Sequence, residues 1–600
     1  MPTTEKALKT LEDVLALREF VSQTQINPQG CKNPKSLINM HHYLKLRQKD
    51  NVELQDELTK MGLSSLGRSQ AHILRSLDLI VELLSKCHDK EYDKSQQILT
   101  IDEAEELMAK RAAMFGGEPK PKKRAETKIM LTLPSDAAKN PLMIEEFANA
   151  GVGIFRINTA HDGSLEWGIM AAKIAELNQN LHPQNKLKVY VDLAGPKIRT
   201  GKIRKVKAEL KLEPQKKIYI THKNNENEFV KVPSDAYNIE VESDFYKKAK
   251  KEKELIIYTW NEKPKTIKVL FCEKGFIVCE LAKKTKINEQ STICVQKKRK
   301  SIESKVLNLP EITEEIRLLE DDLLFLSLEE IEGHSKIINE AVQILEPAAI
   351  FCTQKEFVKD AKIGNKVFID DGKIGLQVID KKPNGLLCRV VQVKLKGETL
   401  KEEKGINFPD STTLVDAITK EDEKNLDSVI EFADILGISF AQSERDIIAL
   451  KDLLKAKNKE HIAIVAKIET KLAVKNLPSI LEALMYHENS AIMIARGDLA
   501  IEVEFENMSY LQEEILDLCE AAHTPVIFAT QVLENQMKNN LPSRAEITDA
   551  AFAQRADCVM LNKGQFALNT IKKLEFILAR MHTIFKKNRL LLGECDIWIR

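Results

Sequence analysis

Two stretches of this chain alternate short apolar runs with amphipathic segments of helical period, and no other feature restricts the fold as strongly. A short apolar run rich in β-branched residues, without polar alternation, reads as a strand buried on both faces, the habit of parallel sheets. Parallel neighbours need a crossover between them, and the amphipathic segments supply it. The first stretch has TKIMLTL, GVGIFRIN and KVYVDLAG as strands, with PLMIEEFANA and LEWGIMAAKIAEL as the helices between. Beyond KGINFPD the alternation resumes with ADILGISF, HIAIVAKIE, AIMIARGD, PVIFAT and DCVMLN, each followed by a helix. Three strands and then five make eight. The expected fold is α/β, a (β/α)8 TIM barrel with a β-rich domain inserted after strand three and an N-terminal α-helical region.

The inserted part, residues 201–410, is rich in Lys, Val, Ile and Thr and carries period-2 stretches such as KTIKVLFCEKGFIVCEL and KVFIDDGKIGLQVIDKKPNGLLCRVVQVKL. Turn signals (EKG, DDGK, KPNG) make these antiparallel hairpins. The passage EEIEGHSKIINEAVQIL reads as a helix between them, and the similar texture of the two halves hints weakly at a repeat. Residues 1–125 read as a separate α-helical region and linker. LEDVLALREFV, LINMHHYLKLRQ, SQAHILRSLDLIVELLSK and IDEAEELMAKRAAMF are its helices, and GLSSLGRSQ is a turn with serine caps. GGEPKPKKR reads as a solvated linker rather than an import signal, because basic runs of this kind are ordinary in linkers. Residues 126–200 are then the first part of the barrel, and 411–600 its second part with a short tail.

At 600 residues the chain exceeds what one core holds, and 43% hydrophobic with 30% charged residues is the balance of a globular protein. Its 90 basic and 90 acidic side chains cancel, which removes an electrostatic case for nucleic acid or an anionic membrane as partner. MPTTEKALKTLEDV has no apolar signal core, and no apolar run reaches the roughly 18 residues of a membrane span. The 10 cysteines lie scattered without zinc-ligand spacing, as reduced thiols in a cytoplasmic protein would.

Parallel barrels put their chemistry at the C-terminal ends of the strands, and there the apolar runs stop abruptly at polar residues. Strand two ends in Arg156, Asn158 and His161, and strand three in Asp192, Lys197 and Arg199. Strand five ends in Lys467 and Glu469, strand six in Arg496, Gly497 and Asp498, and strand seven in Thr530 and Gln531. One polar strand end is ordinary; their concentration is the signal. Arg156, Arg199 and Lys467 suit phosphoryl oxygens. Glu469 and Asp498 suit Mg2+ (or Mn2+), which takes one or two protein carboxylates and completes its shell with water and substrate. Gly497 opens a short helix, where a bare backbone N–H can receive a carboxylate or phosphate. GPKIRTGK is rejected as a phosphate loop, because its glycine spacing is wrong and Ile203 stands where Ser or Thr is needed.

This constellation resembles the pyruvate kinase family over about residues 126–586. FRINTAH is similar to the family's RxNFSH stretch, DLAGPKIRTG to its DTKGPEIRTG, and VFIDDGKIGL to its inserted-domain hairpin. KGINFPD, AKIET, IARGDLAIE, FATQVLEN and PSRAEITDAA follow in the family's order. The resemblance implies transfer of a phosphoryl group from phosphoenolpyruvate to ADP, giving pyruvate and ATP, in the cytoplasm. It implies that Lys467 stabilises the phosphoryl group in flight, that Glu469 and Asp498 bind Mg2+, and that Arg156 contacts the transferred phosphate. Asn158, His161 and Arg199 would line the nucleotide and cation region, and Thr530 the enolate's proton-accepting face. The inserted domain would act as a lid that excludes water. Phosphoryl transfer needs mainly positioning and charge neutralisation, so these residue types suffice in kind.

Around the family's monovalent-cation region (Asn158, Asp192 and Lys197 here) the sequence departs. Ala160 stands for the family's serine, Leu193 for its threonine and Lys197 for its glutamate. Ala160 removes an oxygen ligand, and the Lys197 ammonium would repel K+ at short range, so Lys197 is expected to replace K+. LNKGQ stands where the family has LSGET, losing a hydroxyl and a carboxylate. The family's C-terminal domain is not expected, which leaves effectors open and a homo-oligomer without support in the sequence. Two other readings remain. One is a kinase-like enzyme on the same scaffold acting on another enolate or hydroxy acid; the other is a non-catalytic regulatory homologue.

Overall fold

The computed structural model describes residues 4–24, 26–88, 92, 98–116, 127–222, 232–259, 264–273, 275–297, 300–339, 343–586 and 589–590. The basic linker, apart from Gly116, lies outside the described residues. Eight parallel strands close into a barrel. They are β1 (Lys128–Thr132), β2 (Ile154–Asn158), β3 (Lys188–Asp192), β4 (Ile435–Ile438), β5 (Ala463–Ile468), β6 (Ser490–Ala495), β7 (Val526–Ala529) and β8 (Cys558–Leu561). Every residue of β4 to β8 is buried, which is why these runs carry no polar alternation. Met130, Ile154, Tyr190, Ile435, Val465, Met493, Ile527 and Met560 form one cluster inside the strands, a packed core rather than a pore.

The chain divides into two compact units: residues 1–199, 354–381 and 405–600 form the first, and 200–353 with 382–404 the second. The second unit enters the chain between β3 and β4. It contains a seven-stranded sheet whose strands Glu254–Tyr258, Lys265–Glu273 and Phe276–Leu281 are antiparallel neighbours. The helix expected over EEIEGHSKIINEAVQIL does not form among the described residues. His334 bridges Ala349, and Ile337–Ile338 pairs with Ile344–Glu346 as a small hairpin. Its isoleucines fit helical spacing, but Ile337, Ile338 and Ile344 are exposed, so no apolar helical face is buried there. The VFIDDGKIGL hairpin belongs to the first unit, with Val367 opposite Leu376 and a turn made by Asp370 and Asp371 at φ 54 and 55.

The N-terminal region is helical: α1 (Thr4–Ser22), α2 (Pro34–Leu46), α3 (Val52–Lys60), α4 (Ile73–Cys87) and α5 (Ile101–Ala112). It is not separate, because it packs into the same unit as the barrel. Asn39 of α2 donates to Gln70 O and Ala521 O, both at 2.8 Å, and accepts from Ile73 N–H at 2.9 Å. His523 bridges Ser36 Oγ at 3.0 Å and Ala71 O at 2.8 Å. At the end of α5, Arg111 donates to Ala522 O and to Ser490 Oγ, each at 2.9 Å. Ser490 begins β6, so Arg111 meets the barrel at the N-terminal ends of its strands. Phe115, one turn on, is buried in the same cluster as Met130, Tyr190 and Val465. The helical region therefore supplies part of the barrel's own core.

Candidate active site

Ile154, Tyr190 and Val465 belong to the interior layer, and strand residues two apart share a face. Arg156, Asp192 and Lys467 therefore face the axis at the C-terminal end. Lys467 Nζ donates to Ser439 Oγ at 2.8 Å and lies 3.4 Å from Asp192 Oδ2 and 3.2 Å from Glu469 Oε1. Arg156 Nε donates to the same Asp192 oxygen at 2.7 Å, and its Nη1 to Thr132 Oγ1 at 3.0 Å. The Tyr190 hydroxyl donates to Asp192 Oδ1 at 2.8 Å. Glu469 Oε2 accepts the Phe440 N–H at 2.6 Å, from a backbone held at φ 56. A Cβ on Gly437 of β4 would lie 2.0 Å from the Tyr190 hydroxyl and 2.4 Å from Asp192 Oδ1, so the bare glycine makes room for that pair.

Burial opposes each of these charges, and the neighbours decide which survive. At Lys467 the Asp192 and Glu469 carboxylates outweigh burial and hold the ammonium's pKa above its ordinary value. At Asp192 burial is outweighed by Arg156 and Lys467, which hold the carboxyl below its ordinary value. At Glu469 burial prevails, the charge of Asp498 adds to it against Lys467, and the pKa rises.

Asp498 sits in the short helix Arg496–Glu502 that follows β6, with Lys197 Nζ 3.5 Å from its Oδ1. Lys197 also lies 5.9 Å from the Phe440 ring centroid. The Gly497 N–H is not bare as expected. It donates to Thr530 Oγ1 at 2.7 Å, because the chain at Thr530, Gln531 and Leu533 takes positive φ (62, 58 and 50) and turns that hydroxyl toward it. Such a conformation is costly for a β-branched residue and persists only where the surroundings enforce it. Arg496 helps enforce it: Nη2 donates to Thr530 O at 2.7 Å and to Asp549 Oδ2 at 2.8 Å, and the guanidinium lies 4.0 Å over the Phe528 ring.

Glu469 and Asp498 meet the test for Mg2+ in kind. They are carboxylates close enough that the charge of one raises the pKa of the other, a negative field that a hard divalent cation relieves. No group of three or more His, Cys, Asp or Glu side chains that could hold a metal gathers among the described residues. Two protein carboxylates are within what Mg2+ takes, the rest of its shell being water and substrate oxygens.

On the other side of Arg156 opens a cleft of about 390 Å3, lined by Thr132, Arg156, Asn158, His161, Lys538 and Lys563 among others. Asn158 Oδ1 accepts the Ala160 N–H at 3.1 Å, and His161 O accepts from Trp167 Nε1 at 2.9 Å. Burial lowers the His161 pKa, and the cations Lys563, Arg199 and Arg156 lower it further against Asp162, so the imidazole is neutral at neutral pH. Arg199 itself bridges Gly405. Arg156, Asn158 and His161 thus share the cleft, while Lys197 lines a different pocket with Asp498, Phe440 and Glu502. Sequence reasoning drew no residue from strand four, yet Ser439, the Phe440 N–H and the gap at Gly437 all serve the centre. The signal was present as a glycine inside ILGI followed directly by a serine.

The chain matches the family described as pyruvate kinase, barrel domain, over residues 124–320 and 273–571. It is 33% identical over 258 residues to a pyruvate kinase of Geobacillus stearothermophilus, covering 42% of each chain. It is 30% identical over 272 residues to one of Bacillus licheniformis, covering 44% of this chain and 45% of that protein. Over 237 residues it is 33% identical to one of Mycoplasma pneumoniae, covering 38% of this chain and 45% of that protein. The chain spans less than half the length of these curated relatives. The family match runs through all eight strands of the barrel and the residues at their ends, and the chain belongs to the pyruvate kinase family.

Proposed function

We propose that this protein transfers the phosphoryl group of phosphoenolpyruvate to ADP, releasing pyruvate and ATP. The observation that carries this reading is Lys467, a buried ammonium fixed by Asp192, Glu469 and Ser439 beside a second carboxylate, Asp498. As the P–O bond to the enol oxygen breaks and a bond to the ADP β-phosphate forms, Lys467 stabilises the charge that moves from the phosphoryl group to the enolate. Asp192 holds Arg156 in one orientation toward the phosphoryl oxygens. The Thr530 hydroxyl accepts the Gly497 N–H and keeps its own proton to donate at the enolate face. Bound at Glu469 and Asp498, Mg2+ would supply Lewis-acid neutralisation of substrate oxygens. The nine described cysteines are free thiols, as suits a reducing cytoplasm.

Lys197 takes the place of K+ in this reading. Two oxygens of the cation region are committed elsewhere, Asn158 Oδ1 to the Ala160 N–H and Asp192 Oδ1 to the Tyr190 hydroxyl. Turnover without K+ is expected, and a strict K+ requirement would overturn the substitution. The central test is pyruvate formation from phosphoenolpyruvate, ADP and Mg2+, comparing wild type with Lys467→Met. Loss of about 10^3-fold or more in rate is expected for the variant. An inactive wild type would remove the proposed function, and an active Lys467→Met would remove Lys467 from the mechanism.

A further inference from the structure

The two oxygens of the Asp192 carboxylate are used unevenly. Oδ2 lies 2.7 Å from Arg156 Nε, 2.5 Å from Arg156 Nη2 and 3.4 Å from Lys467 Nζ. An arginine and a carboxylate often pair fork to fork, with one N–H on each oxygen. Here both arginine donors converge on a single oxygen, and the lysine lies against that same oxygen. The other oxygen, Oδ1, accepts the Tyr190 hydroxyl at 2.8 Å. Tyr190 stands two residues earlier on β3, so it shares the face of Asp192, and it is fully buried in the interior layer of the barrel. Burial and then the charge of Asp192 push its phenol well above the ordinary pKa, so the hydroxyl keeps its proton and donates. The next strand is cut to fit this bond. Gly437 of β4 lies opposite Asp192, and a Cβ there would reach within 2.0 Å of the Tyr190 hydroxyl and 2.7 Å of Cζ.

We infer that Tyr190 is a positioning residue of the phosphotransfer centre: by holding Asp192 Oδ1 it keeps Oδ2 for Arg156 and Lys467 together. The inference rests on the proposed transfer from phosphoenolpyruvate to ADP and deepens it. Without the hydroxyl, Oδ1 would be a buried carboxylate oxygen stripped of its donor, a costly state. Rotation of the carboxylate into a fork-to-fork pair with Arg156 would relieve that cost. The same rotation withdraws Oδ2 from Lys467 and leaves the ammonium to Glu469 and Ser439. Tyr190 thus acts through Asp192 on the two cations that meet the phosphoryl group, and not on the substrate itself.

The experiment measures steady-state kinetics of the full chain and, separately, calorimetric binding of phosphoenolpyruvate with Mg2+ and no ADP. It compares wild type, Tyr190→Phe and Tyr190→4-aminophenylalanine, the last restoring a donor at the same reach. Tyr190→Phe should lower kcat/KM for phosphoenolpyruvate by about tenfold to a hundredfold, with KM for ADP within about twofold. The amino variant should return kcat/KM to within about threefold of wild type. Unchanged kcat/KM in folded Tyr190→Phe overturns the inference. So does a loss shared equally by phosphoenolpyruvate and ADP, or an equally folded amino variant that stays as slow as Tyr190→Phe, since either marks a packing role. If the wild type forms no pyruvate, the proposed reaction fails, and the calorimetry still decides Tyr190. Binding weakened by phenylalanine and restored by the amino variant upholds the inference. Unchanged binding, or no binding in the wild type, overturns it.

Discussion

Arg111 is buried and Arg156 mostly buried at the barrel, one at the N-terminal ends of its strands and one at the C-terminal ends. Arg156 meets the Asp192 carboxylate with Thr132 alongside, and burial is outweighed, so its pKa rises. Arg111 meets the Ala522 and Ser490 carbonyls and the Ser490 hydroxyl, with no carboxylate partner among the described residues and Nε left unpartnered, and burial lowers its pKa to about 10. The same side chain thus does different work at the two ends. At one it belongs to a fixed array of opposite charges that can meet an anionic substrate. At the other it is a hydrogen-bond donor that ties the helical region to buried backbone at the barrel's closed end. Burial of a charge is therefore no guide to chemistry here; the presence of a carboxylate partner is.

Replacing each arginine by methionine sharpens that contrast. Arg156→Met strands the buried Asp192 carboxylate beside Lys467, and a loss of about 3–5 kcal/mol in unfolding free energy is expected by denaturant titration, together with activity. Arg111→Met strands no charge, removes a desolvated cation and frees three acceptors, so a change of about 1 kcal/mol is expected. A larger loss at Arg111 than at Arg156 would break the comparison.

The closed end depends on shape rather than charge, and Phe115 tests that. Phe115→Ala deletes a ring from the interior cluster and should cost about 3–5 kcal/mol of stability, while kcat per folded molecule stays unchanged. A fall in kcat at full folding would show that the closed end communicates with the site.

The open end also holds a carboxyl with no cation partner among the described residues. Glu502 is buried and accepts from Asn407 Nδ2 at 3.1 Å. Burial, with the charge of Asp498 adding to it, pushes its pKa up to about 7. The folded protein therefore keeps a proton that the unfolded chain releases near its ordinary value of 4.5. The stabilisation is complete below that ordinary value and is lost as pH rises through 7. Glu502→Gln should remove this slope, which amounts to on the order of 3 kcal/mol between acid and pH 8. Parallel pH–stability curves for variant and wild type would show that Glu502 ionises without cost.

The barrel was legible because strands buried on both faces have no polar alternation, as in β5 and β6, where all residues are buried. The charges at their ends were legible for the same reason, since Lys467 and Glu469 interrupt an otherwise apolar run. Ser439 was not, because a serine after an apolar run is ordinary until Lys467, 28 residues later, reaches it. The hairpin at Ile337–Ile338 was misread because isoleucine spacing carries a helical period without the burial that would make it matter.

What the sequence determined by itself was the strand and helix order, the insertion point, and which residues stand at the strand ends. These follow from local periodicity and from the direction of parallel strands. What only the tertiary structure decided was partnership. Asp192 is shared between Arg156 and Lys467, the Gly497 N–H goes to Thr530, and Lys197 goes to Asp498. It also decided that Arg111 and Phe115 close the barrel, Arg111 reaching a carbonyl 411 residues away in the chain. Partnership depends on distances through space that the local pattern of a chain does not encode, and those distances set the charge each group keeps.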